Sequence, residues 1–238
     1  MSGHSKWKNI MHKKEKTDSA RAKVFTKIGK EMAIAVREAG PDPVANSRLR
    51  DLIAKAKSLN VPNDNIERII KKSSGADAVQ YDEITYEGYG PGGVAVIVEA
   101  ATDSRNRTAA DVRHYFDKFG GNLGTTGCVS FMFTSKGVIT IPSEDLDEDK
   151  VTEDALECGA EDFSSEEDCF EIYTDPADLR AVADALTAKG YKYDSAEIEK
   201  VPTTYVALTD EEQITKMQKL LDALEDNDDV TDVWHNWD

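Results

Sequence analysis

From Asp18 or Ser19, either able to cap a helix N-terminus, apolar residues fall at Val24, Ile28, Met32 and Val36. This spacing of four predicts an amphipathic helix that stops at Gly40-Pro41-Asp42-Pro43. A second stripe, Leu49, Leu52, Ile53, Ala56 and Leu59, ends near Asn60. A third, Ile66, Ile69 and Ile70, ends at Ser73-Ser74-Gly75. Three amphipathic helices with short connections predict a small bundle. Residues 1 to about 17 have no such period and are expected to be a mobile tail in the free protein.

Beyond Gly75 the period changes to two. Ile84 and Tyr86, then Val94, Val96 and Val98, then Val129, Phe131 and Phe133 alternate as strands. A helix carrying Ala109, Val112, Phe116 and Phe119 lies among them and stops at Gly120-Gly121. A second strand-rich stretch follows: a strand over 138–141, a helix near 151–158, a hairpin near Phe163 and 169–173, a helix over 175–189 and a strand near 193–201. That βαββαβ order predicts a ferredoxin-like domain. The last segment reads as a strand over 204–208, a helix opened by a Thr209/Glu212 capping box, and a strand ending at Trp237. Such a remnant is too small to fold alone, so it is expected to pack back onto residues 79–134. The expected fold class is therefore α+β: an N-terminal three-helix domain (1–78), a discontinuous α+β domain (79–134 with 203–238) and an acidic ferredoxin-like domain (135–202).

Charge changes the picture more than composition does. The 238 residues carry a formal net charge of -17, but residues 1–80 hold 17 Lys and Arg against 9 Asp and Glu, leaving 12 against 37 for the rest. A polyanion-binding module joined to acidic modules has this footprint. On the first helix Lys16, Lys23, Lys27, Lys30 and Arg37 recur at intervals of three, four or seven, along one stripe beside the apolar face. With Lys6, Lys8, Lys13 and Lys14 they are expected to form a continuous basic surface whose cations act together on phosphates. Trp7, set between two lysines, is a candidate for stacking on a base or filling a partner's pocket, and docking on its own bundle is the alternative. Arg105 and Arg107 stand at a helix start, against the dipole preference for acids; they mark either a binding surface or a pair bonded to nearby acids.

Other signals are negative. Gly88-Tyr89-Gly90-Pro91-Gly92-Gly93 spells a dinucleotide fingerprint, but a strand follows it where a helix is required, so a strand-to-strand loop is expected. Asp145, Asp147 and Asp149 mimic a calcium loop whose glycine and final glutamate positions hold Lys150 and Leu156. The four histidines have no ligand spacing, and the three cysteines, Cys128, Cys158 and Cys169, suit neither a zinc site nor a disulfide framework. The first residues lack the apolar core of a signal peptide, and the longest apolar run, Val94 to Val98, cannot span a bilayer. A cytoplasmic protein with no metal, no cofactor, no membrane partner and no small-molecule substrate is expected, and not an enzyme.

Six stretches carry a likeness to a known family: Gly3-His4-Ser5-Lys6-Trp7, Lys23-Val24-Phe25-Thr26-Lys27, the run from Val61-Pro62 to Lys71-Lys72, Tyr86 to Gly93, Thr102 to Thr108, and Gly120-Gly121-Asn122-Leu123-Gly124. In these the chain resembles the YebC family, whose bacterial members are described as probable transcriptional regulators and whose mitochondrial members activate translation of a cytochrome oxidase subunit. The resemblance implies three domains, with DNA binding for some members and ribosome association for others. A nucleic-acid-binding regulator of gene expression, DNA-binding in the first reading, is the expected function. The alternative is a factor bound to ribosomal RNA and the ribosome that assists elongation. An unrecognised enzyme comes last.

Overall fold

The structure, a computed structural model, describes residues 18–76, 78–166 and 168–238. It is α+β, and its described residues form two compact units, one holding residues up to 132 together with 204–238, the other 133–203.

In the first unit, α1 (Asp18–Ala39), α2 (Ser47–Ser58) and α3 (Asn63–Ser73) bury Ile28, Met32, Val36, Leu49, Ala56, Val61 and Ile66 in one core. Asn46 caps α2 by accepting from the Leu49 amide at 3.0 Å, and its own amide group donates to the Ala35 and Gly40 carbonyls, tying the α1 end to the α2 start. An antiparallel sheet of order β3-β1-β2-β8 follows, built from β1 (Asp82–Tyr89), β2 (Ala95–Thr102), β3 (Asn122–Leu123) and β8 (Val230–His235). On one face α4 (Arg105–Lys118) and α7 (Glu211–Asp226) pack Val112, Phe116, Met217, Leu220, Leu221 and Leu224 onto Val94, Val96, Val98 and Val233. The alternate β2 residues Ala95, Ile97 and Ala101 are buried as well, because α1 packs against β2 and β8. A strand covered on both faces reads as a continuous apolar run. This cover also makes the bundle and the sheet one unit.

The C-terminal segment closes the sheet: β8 pairs with β2, Val98 opposite Val233, with a bulge between Glu99 and Ala100. The expected strand over 204–208 is reduced to a single bridge between Val206 and Trp237. The α7 cap is Asp210, accepting from the Gln213 amide at 2.9 Å, one residue after the expected Thr209.

The second unit has β4 (Phe133–Pro142), α5 (Glu148–Glu157), β5 (Asp162–Ser165), β6 (Cys169–Thr174), α6 (Leu179–Ala188) and β7 (Ser195–Pro202) in an antiparallel sheet of order β5-β6-β4-β7, the ferredoxin-like arrangement. Ile139, Ile141, Phe170, Ile172, Val182 and Leu186 fill its core. The alternation at Val129, Phe131 and Phe133 is not a strand of its own. Residues Ser130–Met132 form a short 3-10 turn, and the strand runs from Phe133. The amides of Val129 and Ser130, which a ladder would need, donate to the Glu87 carboxylate instead.

Candidate nucleic-acid interface

The sequence places Lys23, Lys27, Lys30 and Arg37 on one stripe of α1, and the structure shows what the first three meet. The Lys23 ammonium pairs with the Asp226 carboxylate and donates to the Asp226 carbonyl at 3.2 Å. Lys27 donates to the Glu225 carbonyl at 2.5 Å, and Lys30 to the Asp228 carbonyl at 2.8 Å and the Asp229 carboxylate at 2.6 Å. Glu225 and Asp226 end α7. Their carbonyls have no partner within the helix and carry the negative end of its dipole, so cations docked there satisfy both demands. Burial pushes the Lys27 ammonium below its ordinary pKa, against the pull of Glu225, Asp232 and Asp228.

Asp229 is the centre of this joint. Its side chain is 6% exposed and that of Lys30 12%. One carboxylate oxygen takes Lys30; the other takes Arg107 at 2.7 Å, Thr108 at 2.9 Å and Thr102 at 3.2 Å. Burial alone would raise the carboxyl pKa, but the hydrogen bonds from Lys30, Arg107 and Thr108 outweigh it and hold the group at about 2. The bulge in β8 pairing brings the residue here, since the Asp229 carbonyl accepts from the Ala101 amide at 2.8 Å while the side chain meets the end of β2. Asp229 lies in an acidic run, Glu225 to Asp229, whose one-dimensional pattern gives no sign that one member is buried.

The other sequence candidates are dispersed. Arg107 bridges Asp229 and Asp103, the latter at 2.9 Å. Arg105, 67% exposed, reaches Asp82 at 3.3 Å. Of the two readings of these arginines, pairing with nearby acids is the geometry observed. Arg37 is exposed near the α1 end. Lys6, Trp7, Lys8, Lys13, Lys14 and Lys16 lie outside the described residues.

The glycine-rich stretch joins two antiparallel strands, with the Gly90 amide donating to the Val94 carbonyl at 2.7 Å. It packs on α7, where a Cβ on Gly90 would stand 2.7 Å from Met217 Sδ, and on the segment before that helix, where a Cβ on Gly92, at φ 69°, would stand 2.3 Å from Leu208 Cδ2. The glycine serves a left-handed turn against a neighbouring side chain. Gly92→Ala is therefore expected to destabilise the protein by about 2 kcal/mol in chemical denaturation, from the left-handed backbone and the displaced Leu208.

Five further cations came into view only with the fold. Arg50 and Lys57 on α2, and Arg68, Lys71 and Lys72 on α3, are exposed. Among the described residues no helix is long and apolar enough to cross a membrane, and no group of three His, Cys, Asp or Glu is placed to hold a metal ion.

Comparison with known proteins agrees with this architecture. Residues 5–76 match the family described as the TACO1/YebC protein N-terminal domain, and residues 81–237 the TACO1/YebC second and third domain. A relative named "Probable transcriptional regulatory protein" from Acetivibrio thermocellus is 59% identical, covering 100% of this chain and 99% of its own. One of the same name from Ruminiclostridium cellulolyticum is 59% identical over 100% and 97%. A crystal structure of a conserved hypothetical protein from Aquifex aeolicus superposes with a TM-score of 0.86 at 46% identity, covering 93% of this chain and 91% of that one. With both its N-terminal helices and the remaining two-sheet region matched, the chain belongs to the TACO1/YebC family.

Proposed function

We propose that this protein is a nucleic-acid-binding regulator of gene expression that holds DNA chiefly through phosphate contacts, and is not an enzyme. The observation that carries the reading is the segregation of charge: 17 Lys and Arg against 9 Asp and Glu in residues 1–80, beside 12 against 37 in the rest. The name that the relatives carry, probable transcriptional regulatory protein, supports the regulatory role. The proposed contacts are the basic residues of the first 16 positions, with Trp7, and the exposed Arg37. Lys23, Lys27 and Lys30 join them only where phosphate oxygens replace the α7 carbonyls and Asp229 that hold them here.

If about six phosphates are engaged, log K against log salt falls with a slope near -5 on duplex nucleic acid. A slope near zero in an anisotropy titration would exclude a charge-driven site. A ribosome-associated translation factor is the second reading, favoured by the prevalence of lysines over the Arg, Asn and Gln that read base edges. Selectivity separates the two. A transcription regulator prefers its operator over random duplex by at least roughly a thousandfold, whereas a ribosomal factor shows no such preference and cosediments with ribosomes.

A further inference from the structure

On α3, Ile66, Ile69 and Ile70 turn into the bundle core, while Arg68, Lys71 and Lys72, spaced by three and four, stand on the opposite, exposed face. Residues 68–73 hold these three cations and no acid; Asp64 and Glu67 precede them. On α2, Leu49, Leu52, Ile53 and Ala56 face the core, and Arg50 and Lys57, seven apart, lie together on an exposed flank. Apart from the bond of Arg68 to Asn65 at 2.7 Å, no ion pair or hydrogen bond among the described residues engages these five side chains. The contrast with α1 is direct: Lys23, Lys27 and Lys30 are held by the end of α7 and by Asp229, whereas these five face water.

We propose that the outer face of α3, with the Arg50 and Lys57 flank of α2, is a docking surface for the phosphate backbone of duplex DNA. This rests on the nucleic-acid reading given above and moves its centre from the α1 stripe to helices that the lysine periodicity did not mark. Phosphate affinity comes from cations that are free, solvated and clustered, because each neutralised phosphate releases condensed counterions. A cation held by its own protein must first lose that partner. The surface suits a duplex because α2 and α3 contain no Phe, Tyr or Trp on which unpaired bases could stack. It suits backbone contact because cations predominate there: the amides of α3, Asn63 and Asn65, lie in its first turn, and Asn65 accepts from the Arg68 guanidinium at 2.7 Å.

The test uses the full chain and a short random-sequence DNA duplex followed by fluorescence anisotropy. One variant carries Arg68→Glu, Lys71→Glu and Lys72→Glu. A second carries Arg113→Glu, Lys118→Glu and Lys219→Glu, an identical change in net charge at exposed positions of α4 and α7. All six side chains are exposed, so both variants are expected to keep the wild-type melting temperature and circular dichroism spectrum. The α3 variant is expected to bind about 30-fold or more weakly, with a salt slope shallower by about 3, while the α4/α7 variant weakens by less than about fivefold. Equal losses in the two variants would reduce the effect to net charge and overturn the surface. Wild-type affinity in the α3 variant would overturn it too, while leaving the nucleic-acid reading intact. A wild-type protein that binds no duplex even at low salt would instead remove the reading on which the surface rests. An RNA hairpin bound at least about tenfold more tightly through these same residues would overturn duplex DNA as the occupant.

Discussion

Replacing Asp229 with Ala is expected to destabilise the unit that holds the helical bundle and the β1–β8 sheet by about 3–5 kcal/mol, the range for removing one partner of a buried ion pair. The substitution strands the Lys30 ammonium in a site 12% exposed and takes from Arg107, Thr108 and Thr102 the acceptor they share. Urea denaturation read separately for the two units is the measurement, and a change below about 1 kcal/mol would show that the joint is not a stabilising element. The pH dependence has a definite sign. The folded carboxyl titrates at about 2, below its ordinary 3.8. Its stabilisation, about 2 kcal/mol by linkage, is complete above pH 4 and is lost as pH falls from 4 through 2. Asp229→Asn removes that acid-sensitive step, so the variant's stability curve runs flatter than the wild type's between pH 4 and 2.

The same joint governs how charge-reversal experiments on α1 are read. Lys30→Glu would set a second carboxylate against Asp229, and Lys27→Glu would turn an acid toward the carbonyl end of α7. Lost nucleic-acid binding in such variants reports a disrupted fold as readily as a lost phosphate contact. Substitutions at Arg68, Lys71 and Lys72 avoid this ambiguity because these side chains are exposed and lie outside the bundle core.

Periodicity made the elements legible wherever one face is buried and the other wet. Val24, Ile28, Met32 and Val36 locate α1, and the βαββαβ order of 133–203 is recoverable because each apolar run is bounded by turn residues. The return of the C-terminal strand was legible for a different reason, since a βαβ remnant has no core of its own, and β8 completes the sheet beside β2. The partners of the lysine stripe were not legible. A lysine facing phosphate and a lysine facing a helix C-terminus some 200 residues away have identical local sequence, and only the tertiary fold distinguishes them. The cations of α2 and α3 raised the basic count of the first 80 residues without drawing notice, because they form short groups rather than a long stripe. Val129 to Phe133 failed for a third reason. The alternation is real, but a buried carboxylate elsewhere claims the backbone donors.

That carboxylate gives the second large effect. Glu87 is buried and accepts from the Gly127 amide at 2.8 Å, the Val129 amide at 2.9 Å and the Ser130 amide at 2.8 Å. Burial works against its charge, yet the three amides from Val129, Gly127 and Ser130 lower its pKa below the ordinary carboxylate value. It thus does for residues 127–130 what a strand ladder would otherwise do. Glu87→Gln turns an acceptor-only group into one whose NH2 confronts backbone donors, leaving at least one buried amide unpaired at about 1–3 kcal/mol, with the loss of charge-assisted bonding adding to it. Hydrogen exchange at residues 127, 129 and 130 is expected to accelerate more than the global stability loss explains. Cys128 supplies a second readout, since burial and then the Glu87 charge raise its thiol pKa. Neutralising Glu87 and loosening the loop both favour the thiolate, so alkylation of the Cys128 peptide, followed by mass spectrometry at mildly alkaline pH, is expected to quicken by about tenfold or more. Cys158 in the other unit is the internal control and should react at its wild-type rate. Unchanged exchange and labelling would show that the loop is held by its other contacts, the burial of Val129 and the bond from the Tyr89 hydroxyl to the Cys128 carbonyl at 3.2 Å.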